Sequence, residues 1–353
     1  MNFKKFPKIE LHCHLDGSLR VDTILDIAKK NNIPLPSYNR EELINYVSIM
    51  DDCNSLDEYL NKFFIPNKVM QTKENLKRIA FELLEDAAKD NVKYIEVRFA
   101  PLLHVEKGLT IEEIIESILE GIKEAEKLYD IKGNLILGCM RNMDIPSAFE
   151  VVKKGSKFIG KGVVAIDLCG GEEPHFPGKY IEVFKLAKEY GYRITIHAGE
   201  AGVGENVLEA INLLNAERIG HGIYIKNSPE AYKLVKEKNI PLEVCPTSNL
   251  HTKASENYKS HPFMDFLKDG IKVTINTDNM TVSNTTITKE LEMLNKFCGL
   301  AIEDYKTLYL NAVEASFASP ETKEILKSYV KEIIITTFKG IKTRITFREN
   351  RYL

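Results

Sequence analysis

Eight short apolar runs alternate with longer amphipathic segments along this 353-residue chain. Short continuous apolar runs are typical of strands that are buried on both faces of a parallel sheet. The repeated alternation predicts an α/β fold, and eight repeats favour a (β/α)8 TIM-type barrel, with an open doubly wound sheet as the alternative. The predicted strands are residues 8–14, 92–99, 134–140, 162–169, 192–197, 218–221, 240–245 and 272–277.

The segments between these runs carry helical periodicity. In residues 74–89, apolar side chains recur at three- and four-residue spacing, which makes a single apolar stripe. Thr110 stands three residues before Glu113, and this pair predicts a capping box at the start of a helix. The other predicted helices include residues 110–128, 180–190 and 228–238.

One connection is too long for a single crossover, which needs about a dozen or more residues. Residues 15–91 separate the first two predicted strands. We expect the excess to form extra helices over the C-terminal face of the barrel. Within it, residues 57–69 are predicted to be either a hydrophobic lid or ordinary helix packing. Residues 1–328 are predicted to form one domain, followed by a tail of unknown structure at 329–353.

The composition excludes several classes of protein. The net charge of −3 argues against a general affinity for nucleic acid or anionic membranes, because such affinity needs a basic patch. The six cysteines include no CxxC pair, so thiolate zinc sites are not expected and a reducing cytoplasm is the predicted compartment. No apolar stretch reaches about 18 residues, so no transmembrane helix is predicted.

Metal-binding residue types stand at the ends of four predicted strands. The first strand ends with His12 and His14, and residues two apart on a strand face the same side. His197, His221 and Asp278 stand at the ends of three later strands. Because the active sites of barrels form at the carboxyl ends of their strands, we expect these side chains to converge.

Imidazole and carboxylate groups are typical ligands of a catalytic zinc ion, which keeps one position open for water. The same ligand set also accepts iron, cobalt or manganese, and these metals remain alternatives. The predicted ligands of one Zn²⁺ are His12, His14, His197 and Asp278.

Two further residues are candidates for proton transfer. Glu200 lies three residues beyond His197, after two small residues that let the backbone turn sharply. A carboxylic acid beside a metal site is well placed to move protons. His221 is either a fifth ligand or a group that orients the attacking water, and four other ligands favour the second role. The HxE…PCxxC motif of the short zinc deaminases is absent.

With these motifs the chain resembles the adenosine deaminase family of the amidohydrolase superfamily. The resemblance extends over about residues 5–325 in the family's order, and it implies hydrolytic, zinc-dependent deamination of adenosine and 2′-deoxyadenosine. Water adds at C6 of the purine, and ammonia leaves. The matching stretches are residues 10–18, 95–98, 139–141, 165–168, 196–200, 218–222, 245–249 and 276–278.

The resemblance also implies roles for individual residues. Glu200 matches the proton donor to purine N1, and His221 matches the residue that positions and deprotonates the attacking water. Asp16 matches the carboxylate near the ribose 5′-hydroxyl, and Gly170 matches the backbone group that meets purine N3. The residues implied to contact substrate are His14, Asp16, Gly170 and Asn279.

Asn279 departs from the pattern of many members, which carry a second aspartate that meets purine N7. N7 accepts a hydrogen bond, so a carboxylate must be protonated to donate to it, whereas an amide donates at any pH. We predict that Asn279 preserves purine binding and changes its pH dependence; the alternative is that it makes no ligand contact.

The predicted partner is a small purine nucleoside, and the oligomeric state is left open. Adenine deaminases of the family tend to carry glutamate at the position of Asp16, so the shorter Asp16 favours the nucleoside over the free base. Two alternatives remain. One is a related aminohydrolase that acts on adenine or on an N6-substituted or 5′-modified adenosine, and the other is a non-catalytic nucleoside-binding or signalling member.

Overall fold

A single sheet of eight parallel strands forms the centre of this computed structural model, which describes residues 1–50, 53 and 56–333. Each strand pairs with the next strand along the chain. The strands are β1 (Lys8–His14), β2 (Val92–Phe99), β3 (Lys132–Met140), β4 (Val163–Cys169), β5 (Arg193–Ala198), β6 (Arg218–His221), β7 (Leu242–Val244) and β8 (Val273–Ile275).

The end of the sheet returns to its beginning. Asp278, which follows β8, forms a parallel bridge with Cys13 of β1. The Asp278 amide donates to the carbonyl of His12 at 2.8 Å, and the Asp278 carbonyl accepts from the amide of His14 at 2.7 Å. These contacts confirm the predicted (β/α)8 barrel, and the open doubly wound sheet is wrong.

The strands form at the predicted apolar runs, although β7 is shorter than the predicted residues 240–245. Proline accounts for the shortening, because Pro241 has no amide hydrogen to donate to the sheet. Pro246 begins the next helix directly after Cys245. The strand is therefore confined to three residues.

Helices surround the barrel, as the amphipathic segments predict. The capping box at Thr110 is present, since its side chain accepts from the amide of Glu113 and the Glu113 carboxylate accepts from the amide of Thr110. The helices are α1 (Val21–Lys30), α2 (Arg40–Val47), α3 (Leu56–Asn61), α4 (Phe64–Val69), α5 (Lys73–Lys89), α6 (Ile111–Leu128), α7 (Ile145–Gly155), α8 (Ile181–Glu189), α9 (Glu205–Leu213), α10 (Pro229–Glu237), α11 (Pro246–His251), α12 (Phe263–Lys268), α13 (Ile287–Cys298), α14 (Ile302–Ala315) and α15 (Pro320–Ser328). Short 3₁₀ helices span Phe3–Lys5, Pro101–His104, Ser156–Phe158, Phe176–Tyr180 and Ile223–Asn227.

The extra helices predicted after the first strand are α1 to α4, and they reach the carboxyl ends of the strands. The hydroxyl of Tyr59 in α3 lies 2.7 Å from Ser283 Oγ, in the loop after β8. The amide of Ile49 donates to the carbonyl of Val282 in the same loop at 2.7 Å. A gating function for residues 57–69 stays a prediction.

The chain continues from α15 to Ile333, which is buried in the main core. The remainder of the predicted tail, residues 334–353, lies outside the described residues, and the proposed domain boundary at 328 stays a prediction. In the described part of the chain, no helix is long and apolar enough to cross a membrane.

Candidate active site

The structure brings the predicted strand-end residues together at the carboxyl ends of β1, β5, β6 and β8. Asp278 Oδ1 lies 3.3 Å from His12 Nε2 and 3.4 Å from His14 Nε2. His14 Nε2 and His197 Nε2 are 3.2 Å apart. The ring centroid of His221 lies 4.9 Å from that of His12. The convergence expected from the sequence therefore occurs.

This cluster fits a divalent cation. One ligand atom from each of His12, His197, His221 and Asp278 falls within 4.8 Å of the others. The Nε2 atom of His12 is buried and has no hydrogen-bond partner, as expected of an atom whose natural partner is a metal ion. The close approach of His14 Nε2 makes it a fifth candidate, so geometry alone does not separate His14 from His221 as a ligand.

Two buried carboxylates orient the imidazoles of His12 and His197 through their Nδ1 atoms. Glu243 Oε2 lies 2.8 Å from His12 Nδ1, and Asp167 Oδ2 lies 2.9 Å from His197 Nδ1. A carboxylate that accepts the Nδ1 hydrogen leaves Nε2 free to bind a metal, and this arrangement is usual around metal-binding histidines. The sequence alone does not indicate a role for Asp167 or Glu243.

Both carboxylates belong to a charged network that fills the barrel beneath the cluster. Arg98 donates to Asp167 at 2.8 Å and to Glu243 at 2.7 Å. Arg218 pairs with Glu243 and with Glu96, each at 2.6 Å. Three carboxylates thus meet two guanidinium groups, and all five side chains are at most 1% exposed. The surplus negative charge favours a cation at the mouth of the barrel.

The arginines keep these acids ionised despite their burial. Burial alone would raise the pKa of Glu243, but Arg98 and Arg218 hold it well below its usual value. Burial alone would also raise the pKa of Asp167, but its electrostatic interactions with His197 and Arg98 lower that pKa below the usual range. Both groups therefore accept hydrogen bonds as carboxylates at neutral pH.

Two candidate site residues have left-handed backbone conformations, which are uncommon for residues other than glycine. His221 has φ of 61°, and Asp278 has φ of 60°. Such conformations cost of order 1–3 kcal/mol each and occur preferentially at functional sites. The backbone bonds of Asp278 to β1 hold it in this conformation. The turns therefore aim both side chains into the cluster.

Glu200 lies beside the cluster, in surroundings that raise its pKa. Its Oε2 atom is 3.5 Å from His221 Nε2, and its side chain is 12% exposed. Burial, with the negative charges of Asp278 and Glu172, raises the pKa of Glu200 to about 8. A carboxylic acid in this state can donate a proton at neutral pH.

Asp16 is also buried at the site, and one of its oxygens has no hydrogen-bond partner. Burial is the main cause that raises the pKa of Asp16 to about 7, and the charge of Asp278 adds to it. Gly170 is joined to the site by Arg141, whose guanidinium donates to the Gly170 carbonyl at 2.6 Å and also to the His197 carbonyl.

Asn279 contacts the extra helices. Its amide nitrogen donates to the hydroxyl of Tyr59 at 2.9 Å, and its buried Oδ1 atom has no partner. Gly17 makes room for this side chain, because a Cβ atom at Gly17 would lie 1.8 Å from Asn279 Oδ1. A Tyr59 hydroxyl can also donate to Oδ1, so turning the amide would release its nitrogen from Tyr59.

Comparison with known proteins agrees with this geometry. The family model described as adenosine deaminase matches residues 7–333. An adenosine deaminase of Clostridium botulinum (strain Okra / Type B1) is 93% identical over 333 residues, which cover 94% of this chain and 99% of that protein.

Two solved structures share the fold at lower identity. The adenine deaminase from Arthrobacter aurescens has a TM-score of 0.86 at 28% identity, and the match covers 93% of this chain and 99% of that one. The N6-methyl-AMP deaminase from Arabidopsis thaliana has a TM-score of 0.82 at 27% identity, with 94% and 97% covered. The resemblance found in the sequence is confirmed: this chain belongs to the adenosine deaminase family and is a hydrolytic deaminase.

Proposed function

We propose that this chain converts adenosine and 2′-deoxyadenosine to inosine and 2′-deoxyinosine, with release of ammonia and with one bound Zn²⁺. The observation that carries the proposal is the position of the Glu200 carboxyl group beside a buried cluster of imidazoles and a carboxylate. The 93% identity to an adenosine deaminase supports adenosine as the substrate. The proposed metal ligands are His12, His14, His197 and Asp278.

Glu200 acts as the general acid in this proposal. Its proton passes to purine N1, which withdraws electrons from C6 and makes that carbon more electrophilic. Water adds its oxygen to C6 and gives one proton to His221. His221 passes this proton to the exocyclic nitrogen, the bond from C6 to that nitrogen breaks, and ammonia leaves. The remaining hydroxyl proton returns to Glu200 as the C6 carbonyl forms. When bound, zinc would supply a water nucleophile that is active at neutral pH.

His221 orients and deprotonates the attacking water in this proposal. Burial, together with the charge of His12, holds the pKa of His221 well below its usual value, so the imidazole is neutral. A neutral imidazole accepts a proton at Nε2 only when Nδ1 carries the hydrogen. The Asn249 amide nitrogen lies 3.1 Å from His221 Nδ1, and the Asn249 amide oxygen lies 3.2 Å from His261 Nε2. Asn249 accepts the Nδ1 hydrogen of His221 only after its amide turns, so that the oxygen faces His221 and the nitrogen faces His261.

Three residues set the substrate class. We propose that Asp16 meets the ribose 5′-hydroxyl, that the backbone of Gly170 meets purine N3, and that the amide of Asn279 donates to N7. The partnerless oxygen of Asp16 supports a ligand contact at that position. Donation from Asn279 to N7 requires its amide to turn, so that its oxygen accepts from Tyr59 and its nitrogen is released. Asp16 also disfavours a 5′-phosphate, because its charge when ionised has the same sign.

A substrate panel tests this assignment. Ammonia release would be measured for adenosine, 2′-deoxyadenosine, adenine, AMP and N6-methyl-AMP on the zinc-loaded protein. We expect the two nucleosides to have the highest kcat/KM. Preferred turnover of adenine, AMP or N6-methyl-AMP would overturn the nucleoside assignment, and release from none of them would favour a non-catalytic role.

A further inference from the structure

Glu172 lies in the loop after β4, and its side chain reaches the turn that carries Glu200. Its carboxylate accepts from three consecutive backbone amides. Oε1 receives the amide of Gly199 at 2.7 Å, and Oε2 receives those of Glu200 at 2.9 Å and Ala201 at 2.8 Å. The turn that carries the candidate proton donor is therefore wrapped around this one carboxylate.

Successive amides that point to one side form a concave site for an anion, and here a side chain of the same protein fills it. Gly199 permits the sharp turn, because its φ of 67° is a left-handed conformation that glycine adopts without strain. Hydrogen bonds to an ionised acceptor are about twice as strong as neutral ones. A glutamine at this position would keep one acceptor oxygen and turn an NH₂ group towards backbone amides that also donate.

Neighbouring groups hold both the carboxylate and the turn in place. Asn206 of α9 donates to Glu172 Oε1 at 2.9 Å and to the Glu173 carbonyl at 3.0 Å. On the other side of the turn, Arg141 donates to the carbonyl of His197. The backbone on each side of Glu200 is thus fixed by a charged side chain from a neighbouring strand end.

We propose that Glu172 is a positioning residue for the proton donor. Glu172 holds the turn at 199–201, so that the Glu200 carboxyl faces His221 and the purine. This inference rests on the proposed function, because it requires that Glu200 donate the proton. It assigns no substrate contact to Glu172. Its effect should therefore appear in kcat rather than in substrate affinity.

Glu172→Gln tests the proposal, with Glu173→Gln as the matched control. Glu173 is the adjacent acid, and its exposed side chain pairs with Lys179 at 3.3 Å. In the zinc-loaded enzyme we expect Glu172→Gln to lower kcat about 10- to 100-fold, as misplacement by about 1 Å does elsewhere. KM and zinc content should change less than about threefold, and the control should match wild type. Wild-type kcat in Glu172→Gln overturns the proposal.

Non-additivity separates positioning from a general structural effect. If Glu172 acts through Glu200, adding Glu172→Gln to Glu200→Gln should lower kcat by less than about twofold further. A loss of equal size in both backgrounds contradicts the proposal. Wild-type kcat in Glu200→Gln alone instead removes the proposed role of Glu200, and the inference fails with it.

If Glu172→Gln does not fold, the proposal is tested by the kcat of Glu172→Asp and by amide hydrogen exchange in that variant. Aspartate keeps the charge but is one methylene shorter, so we expect an intermediate kcat. Hydrogen exchange at residues 199–201 should be faster than in wild type, while exchange in β1 stays unchanged. A folded Glu172→Asp protein with wild-type exchange and wild-type kcat contradicts the proposal.

Discussion

Replacing Asp167 with asparagine should weaken metal binding without removing any candidate ligand. Asp167 accepts from His197 Nδ1 and pairs with Arg98 at 2.8 Å, and both of its carboxylate oxygens are buried. The asparagine oxygen can still accept from His197, but an amide then faces Arg98 in place of a charge. The buried network also loses its surplus negative charge, which opposes the binding of a cation.

The expected losses of zinc affinity and of folding stability follow from these two changes. Changing a carboxylate that orients a metal-binding histidine typically weakens metal affinity 10- to 100-fold, or about 1.4–2.7 kcal/mol. Removing one partner of a buried ion pair destabilises the fold by about 3–5 kcal/mol. Asp130→Asn is a suitable control, because Asp130 forms an exposed pair with Lys93 whose loss should cost at most about 1 kcal/mol.

Zinc affinity would be measured by competition with a chelator, and stability by urea unfolding of the metal-free protein. We expect Asp167→Asn to lose both affinity and stability, and Asp130→Asn to lose neither appreciably. Zinc affinity within twofold of wild type in Asp167→Asn would refute the argument that this carboxylate prepares His197 to bind metal.

Three further predictions concern proton transfer and purine contact. Glu200→Gln should lower kcat at least about 100-fold. Because the pKa of Glu200 is about 8, wild-type kcat/KM should fall tenfold per pH unit above that value, where the donor is ionised. A flat pH profile of kcat/KM through this range would contradict the assignment of Glu200 as the proton donor. Asn279→Asp should move the decline in kcat/KM for adenosine to lower pH, since an aspartate must be protonated to donate to N7; an unchanged profile would argue against the N7 contact. Tyr59→Phe removes the hydroxyl that bonds both Asn279 and Ser283, and adenosine affinity should fall about fivefold, or about 1 kcal/mol. Affinity for 7-deazaadenosine, which has no N7 acceptor, should change less than twofold, and equal losses for both compounds would show that Tyr59 does not act through N7.

The sequence predicts the barrel well because each strand can be recognised from its own run of apolar residues. Buried parallel strands are continuous apolar runs, and several of them are followed by polar residues at the edge of the sheet where active sites form. His12 and His14 share one face of β1 by strand geometry alone. The convergence of His197 and Asp278 then follows from closure of the barrel, without knowledge of any individual contact.

Sequence reasoning missed the groups whose importance depends on distant partners. Glu243 in β7 binds His12 across the barrel, 231 positions away in the sequence, and only a charged residue inside an apolar run signals it. Glu172 is one acid in a polar loop, and its role emerges only when the turn at 199–201 folds around it. Tyr59 resembles any buried aromatic until its hydroxyl is seen beside Asn279.

Removing the metal and restoring it tests whether one bound zinc ion is required for deamination. The protein would be stripped with a chelator, titrated with Zn²⁺, and assayed for ammonia release from adenosine at each addition. We expect the stripped protein to be inactive and its activity to return linearly to a plateau at one zinc ion per chain. Full activity of the metal-free chain, or a plateau at any other stoichiometry, would contradict this expectation.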